Sequence, residues 1–441
     1  MVSCRRTPLH PGKSLRACRR GEICGLREIT GQMALFFFYN FRSAEWQRDC
    51  PGGTLCDSHF LFFGPHPQAL RLFFFTIGDI FMDRRYVIKN AGLAGVLAAG
   101  VAPAIVHAQA NVRWRLTSSF PKALDTLFGA ADVFAKKVNE MTGGKFVIST
   151  HAAGEIVPAF GTVDAIQNGT VECANTASYY YFGKDPTFAL GCAIPFGLNS
   201  RQMTAWMYEG NGLKLMREFF RPYNIISFPM GNTGSQMGGW WRKEVKSLAD
   251  IKGVKFRTGG FSGVVFERLG GVAANIPGGE IYTALEKGTI DAAEWVGPYD
   301  DQKLGFQKIA PFYAYPGYWE VGPQLDLHVN TKAYDALSGE YKAIIEAAAA
   351  YAHIDMQSKY DARNSTSLKQ LVAGGTKLFK FPKDVMDKAF SESMALYSEL
   401  SAKNPAWKKV YEDYSAFRRD ANLWFRFSEA AIDDYMQSAK L

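Results

Sequence analysis

Residues 288–298 read GTIDAAEWVGP, which packs a helix stop, a short strand and a strand-end carboxylate into one span. A helical segment closes at Lys287 and Gly288, where glycine tolerates the left-handed cap. Thr289, Ile290, Asp291, Ala292 and Ala293 form the strand, Glu294 and Trp295 stand at its far end, and Gly297 and Pro298 close it off. A carboxylate at the end of a buried strand, beside a large aromatic, suits the mouth of a ligand crevice in an α/β protein. Taken alone, the same residues also read as a solvated loop charge next to a core-filling indole. The surrounding chain changes that balance.

With 441 residues and 47% hydrophobic content, the chain can bury one large core or two ordinary ones. Its composition is uneven. Residues 1–81 hold five of the seven cysteines (Cys4, Cys18, Cys24, Cys50, Cys56) and phenylalanine-rich runs without helical or strand period. Arg42, Glu45, Arg71 and Asp79 interrupt these runs before any reaches the roughly 18 residues of a membrane span. The cysteines lack the paired CxxC spacing of a zinc site. From Met82 the sequence is MDRRYVIKNAGLAGVLAAGVAPAIVHAQA: a basic start, a short apolar segment of small residues, and an A-x-A cleavage site at Ala108, Gln109 and Ala110. That is the layout of a secretory signal peptide, which must lie at the N-terminus to be read. Met82 is therefore the expected start, with residues 1–81 an upstream over-extension and 82–110 the signal. Arg84 and Arg85 leave twin-arginine export open beside ordinary secretion. Residues 111–441 carry 37 Lys+Arg against 35 Asp+Glu, so no charge-based case for nucleic-acid binding survives. Cys173 and Cys192, in apolar surroundings, read as buried small hydrophobes rather than a disulfide.

Residues 111–118 alternate as a first strand, 124–141 carry apolar residues at helical intervals, and 145–150 (KFVIST) form a second strand. A β-α-β opening implies a mostly parallel sheet with helices on its faces. Residues 165–172 echo 284–291: apolar, two polar, Gly-Thr, β-branched, acid. The echo reads as two similar lobes, although helix-Gly-strand joints are common in any α/β protein. The first copy runs into Tyr179, Tyr180 and Tyr181, whose phenols can meet a ligand carboxylate or pack a rim. A helix over 206–220 and a strand over 225–230 lead to the glycine-laced crossing 231–241, which contains Gln236. Neither GxGxxG nor GxxxxGK[ST] is present, so a phosphate cradle is not supported. KGVKFR (252–257) delivers Arg257 to a strand end before a glycine turn, a geometry suited to gripping a carboxylate with two nitrogens. YPGYWEVGP (315–323) presents a second aromatic-flanked carboxylate, Glu320, and 324–330 alternate as a strand crossing back. Residues 333–372, 384–402 and 405–440 read as helices.

Together the signal segment, the helix-Gly-Thr-[VI]-[DE] joint, KGVKFR, DAAEW followed by GP, and YPGYWE resemble the solute-binding proteins of TRAP (tripartite ATP-independent periplasmic) transporters. The EW-GP and WE-x-G combination is most similar to the branch that binds 2-oxo or 2-hydroxy monocarboxylates with a metal ion. The resemblance covers 111–441. It implies an α/β, two-lobe periplasmic-binding-protein-like fold with a hinge and long C-terminal helices: lobe 1 over 111–232 with part of 326–375, lobe 2 over 233–325, and C-terminal helices over 376–441. It assigns substrate contacts to Tyr180, Gln236, Arg257, Trp295 and Glu320, with Tyr181 an alternative register for Tyr180. It assigns a Na⁺ or Ca²⁺ site to Gln236, Glu294, Trp295 (through its backbone oxygen) and Glu320. Tyr180, Trp295 and Trp319 would wall the pocket and set chain length. The implied partners are a small organic acid and the TRAP membrane subunits; the C-terminal helices either pair with a second copy or pack on their own lobe; the implied location is the periplasm.

Electrostatics supports the ion separately. If Glu294, Glu320 and an anionic ligand converge, three carboxylates face one arginine, and an oxygen-coordinated cation relieves the repulsion. The absence of nearby cysteine or paired histidine argues against zinc. The same-class rival is a metal-independent binder of sugar acids or C4-dicarboxylates. The different-class rival is an exported enzyme using Glu294 and Glu320 as an acid/base pair. Against the enzyme, GxSxG is absent and His151, His328 and His353 show no partner in the sequence.

Overall fold

The computed structural model describes residues 111–439; the expected extension and signal segment lie outside the described residues. Two β-sheets organise the chain. The first contains β1 (Val112–Ser118), β2 (Phe146–His151), β3 (Cys173–Thr176) and β4 (Ile225–Asn232). The second contains β5 (Trp240–Trp241), β6 (Lys255–Arg257), β7 (Val272–Ala274), β8 (Ala292–Ala293) and β9 (Phe312–Tyr315). β10 (Gln324–Asn330) returns to the first sheet, and β11 (Lys377–Lys380) returns to the second.

In the first sheet the order is β2-β1-β3-β10-β4. β1, β2 and β3 run parallel, as the β-α-β opening implies, and β10 lies antiparallel to β3 and β4. In the second sheet the order is β11-β9-β5-β8-β6-β7. There β6, β7 and β8 are parallel, and β5 is antiparallel to β8 and β9. Each sheet with its helices is a lobe.

The chain crosses between lobes four times: from β4 to β5, from β9 to β10, from the long helix Gly339–Ala373 into β11, and between the helices Lys383–Lys403 and Pro405–Phe427. The first two crossings are bonded to each other: Thr233 N donates to Pro323 O (3.2 Å), Gln236 N to Glu320 O (3.1 Å) and Gly317 N to Gln236 O (3.1 Å). These bonds set Gln236 against Glu320, although the two are far apart in sequence.

Several boundaries differ from expectation. Residues 377–380 are a strand paired with β9, not part of a helical tail. β10 begins at Gln324, inside the span assigned to the second lobe. The helix expected over 206–220 is two, Ser200–Tyr208 and Gly212–Phe220. Gly210 and Gly212 pack against Trp206, where a Cβ on either would lie 2.7 Å from it, so the chain turns there. Lys383–Lys403 packs on the second lobe through the Arg268–Glu399 pair, and Pro405–Phe427 on the first through Trp206 and Tyr414. Cys173 and Cys192 are buried free thiols. No helix among the described residues is long and apolar enough to cross a membrane.

Candidate functional site

Arg257 ends β6 and Glu294 follows β8, its parallel neighbour; the ladder bond Glu294 N to Arg257 O (3.0 Å) brings the two side chains to one sheet edge. Ligands gather at that C-terminal edge of parallel strands. The guanidinium and carboxylate are both 1% exposed and paired at 2.6 Å. Nη1 also donates to Glu294 O (2.8 Å) and Nε to Ile276 O (3.0 Å), while the Gly259 amide donates to Glu294 Oε1 (3.2 Å). The guanidinium lies 5.1 Å from the Trp295 ring centroid. Glu294 is therefore no solvated loop charge.

Glu320 stands on the returning crossing, buried, with the Tyr179 hydroxyl donating to it at 3.4 Å. Burial pushes its carboxyl well above the usual carboxylate range, and Glu294 beside it adds to the shift. Burial also raises Glu294, with Arg257 opposing. Arg257 itself is raised, because Glu294 and its neighbours outweigh the loss of solvent. Gln236 Nε2 donates to Thr233 Oγ1 (3.2 Å). Four polar atoms of these residues are buried without a protein partner: Arg257 Nη2, Gln236 Oε1, Glu294 Oε2 and Glu320 Oε1. Buried polar groups are normally satisfied, so unspent capacity at neighbouring residues of three segments points to a ligand. The donor set, two carboxylates and an amide oxygen, fits a hard cation.

A cavity of about 10 Å³, room for about one water, lies between the lobes, lined among others by Phe120, Leu127, Tyr179, Tyr180, Gln236 and Trp295. An organic acid therefore needs the lobes to part or side chains to shift. A larger surface groove, about 810 Å³, is elsewhere, around Met207, Arg217 and Asn224, so size does not mark this site.

Of the three tyrosines, Tyr179 and Tyr180 line the cavity and Tyr181 does not. Tyr180 borders the cavity, whereas Tyr181 points into the first lobe and bonds Thr162. Tyr179, named in the sequence as one of the three phenols but not assigned a ligand contact by the resemblance, packs on the Gly259–Gly260 turn of the opposite lobe. A Cβ on Gly259 would sit 2.6 Å from its ring, and Gly260 has φ +55°. Glycines in that turn were the available signal. Trp319 is buried among Phe256, Tyr318 and Phe381 and, like Arg257, Glu294 and Glu320, is not among the residues lining this cavity.

The family model described as DctP, bacterial extracellular solute-binding protein family 7, matches residues 117–404. A monocarboxylate 2-oxoacid-binding periplasmic protein of Nostoc sp. is 46% identical over 365 residues, covering 81% of this chain and 100% of that protein. A TRAP solute-binding protein of Bordetella bronchiseptica, crystallised as a mixed-occupancy dimer with copurified calcium and picolinate, is 48% identical. It covers 75% of this chain and 98% of its own, with a TM-score of 0.74. One from Pseudoalteromonas atlantica, with bound sodium and pyruvate, is 38% identical, covering 75% and 100%, with a TM-score of 0.72. The chain belongs to family 7 of the bacterial extracellular solute-binding proteins, the TRAP transporter binding proteins, a family of transport proteins and not of enzymes.

Proposed function

We propose that the protein captures a small 2-oxo or 2-hydroxy monocarboxylate, of pyruvate, 2-oxobutyrate or lactate type, together with Na⁺ or Ca²⁺, and delivers it to TRAP membrane subunits. The observation that carries this is the group of unspent buried oxygens on Gln236, Glu294 and Glu320 beside the spare Nη2 of Arg257. Arg257 grips the ligand carboxylate with Nη2 while Nη1 stays on Glu294. Tyr180 and Trp295 wall the acyl chain, and Tyr179 supplies a hydroxyl beside Glu320. Gln236, Glu294, Glu320 and the Trp295 carbonyl would hold the cation, which when bound offers positive charge to the 2-oxo or 2-hydroxy oxygen. With Glu294, Glu320 and the ligand ionised against Arg257, two negative charges are left over; Ca²⁺ balances both, Na⁺ one. The names of relatives that bind 2-oxoacids, pyruvate and picolinate support the same ligand class. Titration calorimetry with pyruvate, 2-oxobutyrate and lactate, against succinate and gluconate, tests the reading. It predicts one site per chain preferring the 2-oxo acids; tighter binding of succinate or gluconate, or turnover of any acid, would sink it.

Export through the signal at 82–110, by the Sec or Tat route, accords with this role. The C-terminal helices support a homodimer: Leu423, Trp424, Phe427, Ile432, Tyr435 and Met436 leave an apolar face exposed, with Phe427 at 71%. Native mass spectrometry of Phe427→Asp alongside the parent chain separates dimer from monomer; a parent chain that is monomeric removes this reading.

A further inference from the structure

The helix Pro298–Leu304 begins three residues after Trp295 and carries two consecutive carboxylates, Asp300 and Asp301, exposed by 0% and 1%. Successive helical residues point about 100° apart, and these two face different parts of the molecule. Asp301 turns into the second lobe, accepting from Trp240 Nε1 (2.9 Å), Tyr313 Oη (2.7 Å), and the Val296 (3.2 Å) and Gly297 (3.1 Å) amides. It thus braces the backbone immediately after Glu294 and Trp295. Asp300 turns outward from that lobe. Both its oxygens accept from Thr126 Oγ1 (2.8 Å each), and Oδ2 accepts from the Tyr360 hydroxyl (2.6 Å).

Thr126 belongs to the first lobe, next to Leu127, which lines the cavity, and the Leu127 carbonyl is held by Asn175 Nδ2 (2.7 Å) at the end of β3. Tyr360 belongs to the long helix that packs against β4. Three bodies therefore meet on one buried carboxylate. At the rim Asp125 adds a wetter layer: it takes the Tyr299 hydroxyl (3.1 Å), Arg363 Nη1 (2.7 Å) and Lys303. Those groups are a third to a half exposed, so the rim contributes less than the Asp300 bonds beneath it.

We propose that Asp300 and Asp301 act as one positioning unit that couples lobe closure to the order of the ligand loop. Asp301 fixes the turn after Glu294-Trp295, and Asp300 makes that turn rigid only while Thr126 of the opposite lobe is docked on it. The reason is a contrast in solvation. A buried carboxylate is tolerable when its oxygens are bonded; as the lobes part, Asp300 loses Thr126 and keeps only Tyr360, and the helix bearing Asp301 loses its anchor to the first lobe. Parting of the lobes therefore loosens the loop that presents Glu294 and Trp295, and release of ligand follows opening.

The affinity arm of the test rests on the ligand reading above; the exchange arm does not. Thr126→Val and Tyr360→Phe remove a hydroxyl with little change of shape. In the ligand-free full mature chain, amide hydrogen exchange should accelerate by about tenfold over residues 294–301 in Thr126→Val, with the rest of both sheets unchanged. With pyruvate and Ca²⁺ as probe, the dissociation rate should rise on the order of tenfold, the size of one charge-assisted bond, and the association rate should stay within about twofold. Unchanged exchange over 294–301, or acceleration spread across both sheets with a lowered melting temperature, overturns the coupling. If the unsubstituted protein fails to bind pyruvate with Ca²⁺, the ligand reading falls while the exchange result still decides the coupling.

Discussion

Replacing Arg257 by lysine keeps the charge and removes the fork. In the folded protein Nη1 serves Glu294, Nε serves Ile276 O, and Nη2 is left over for a ligand. One ammonium can stay near Glu294, so the substitution avoids the roughly 3–5 kcal/mol cost of stranding a buried carboxylate. It loses the Ile276 bond, worth about 1 kcal/mol, and any second nitrogen able to reach the ligand, a charge-assisted bond worth about 1.5–3 kcal/mol. Arg257→Lys should therefore weaken pyruvate binding by roughly 10- to 150-fold in calorimetry with a modest drop in melting temperature. Arg257→Met strands Glu294 and should lower the melting temperature on the order of 5–10 °C. If the lysine variant binds pyruvate within about threefold of the parent, the arginine is only a partner for Glu294, and the carboxylate grip is wrong.

Two further substitutions probe the surrounding frame. Gly278 lies against the Trp295 indole, where an alanine Cβ would come within 2.3 Å of it. Gly278→Ala should displace the ring, change the tryptophan emission and weaken binding by about tenfold; unchanged emission and affinity would show that the indole's position is not set there. Burial raises Asp300 to about 6 from an unfolded value near 3.8. A raised carboxyl is favoured protonated in the fold, so its contribution is present below the unfolded value and is lost as pH rises from about 4 through 6, amounting to roughly 3 kcal/mol. Asp301, raised to about 7, has the same sign. His353, lowered to about 4 by burial, opposes them, since its contribution is lost as pH falls from 6.5. The melting temperature of Asp300→Asn relative to the parent should therefore rise between pH 4 and pH 8. A flat difference would contradict the cause assigned to that shift.

Much of the candidate site proposed here was legible because its residues are punctuated by glycine. Arg257 before Gly259-Gly260, Glu294 before Gly297, and Glu320 after Gly317 each mark a strand end or crossing, and the fold brings them to one edge. Gln236 was legible as part of a glycine-laced crossing, but its pairing with the Glu320 segment depends on the two crossings lying side by side. The tyrosine register was not legible: of three identical residues in one 3₁₀ turn, two line the cavity and the third turns into the first lobe. Trp319 and Glu320 are adjacent yet face core and site respectively, which composition cannot separate. Asp300 and Asp301 read as an ordinary acidic first turn, because burial by a distant threonine and a long helix leaves no local trace. β11 was missed because one strand between two long helices looks like the continuation of either.

The central claim is that ligand and cation bind as a unit, because three carboxylates cannot share this pocket with one guanidinium alone. Its most direct test is a pyruvate titration of protein stripped with chelator into sodium-free buffer, followed by titrations with Ca²⁺ and then Na⁺ restored. The account predicts no measurable heat without a cation and one-to-one binding once either ion returns. Equal affinity in the stripped and restored samples would contradict it.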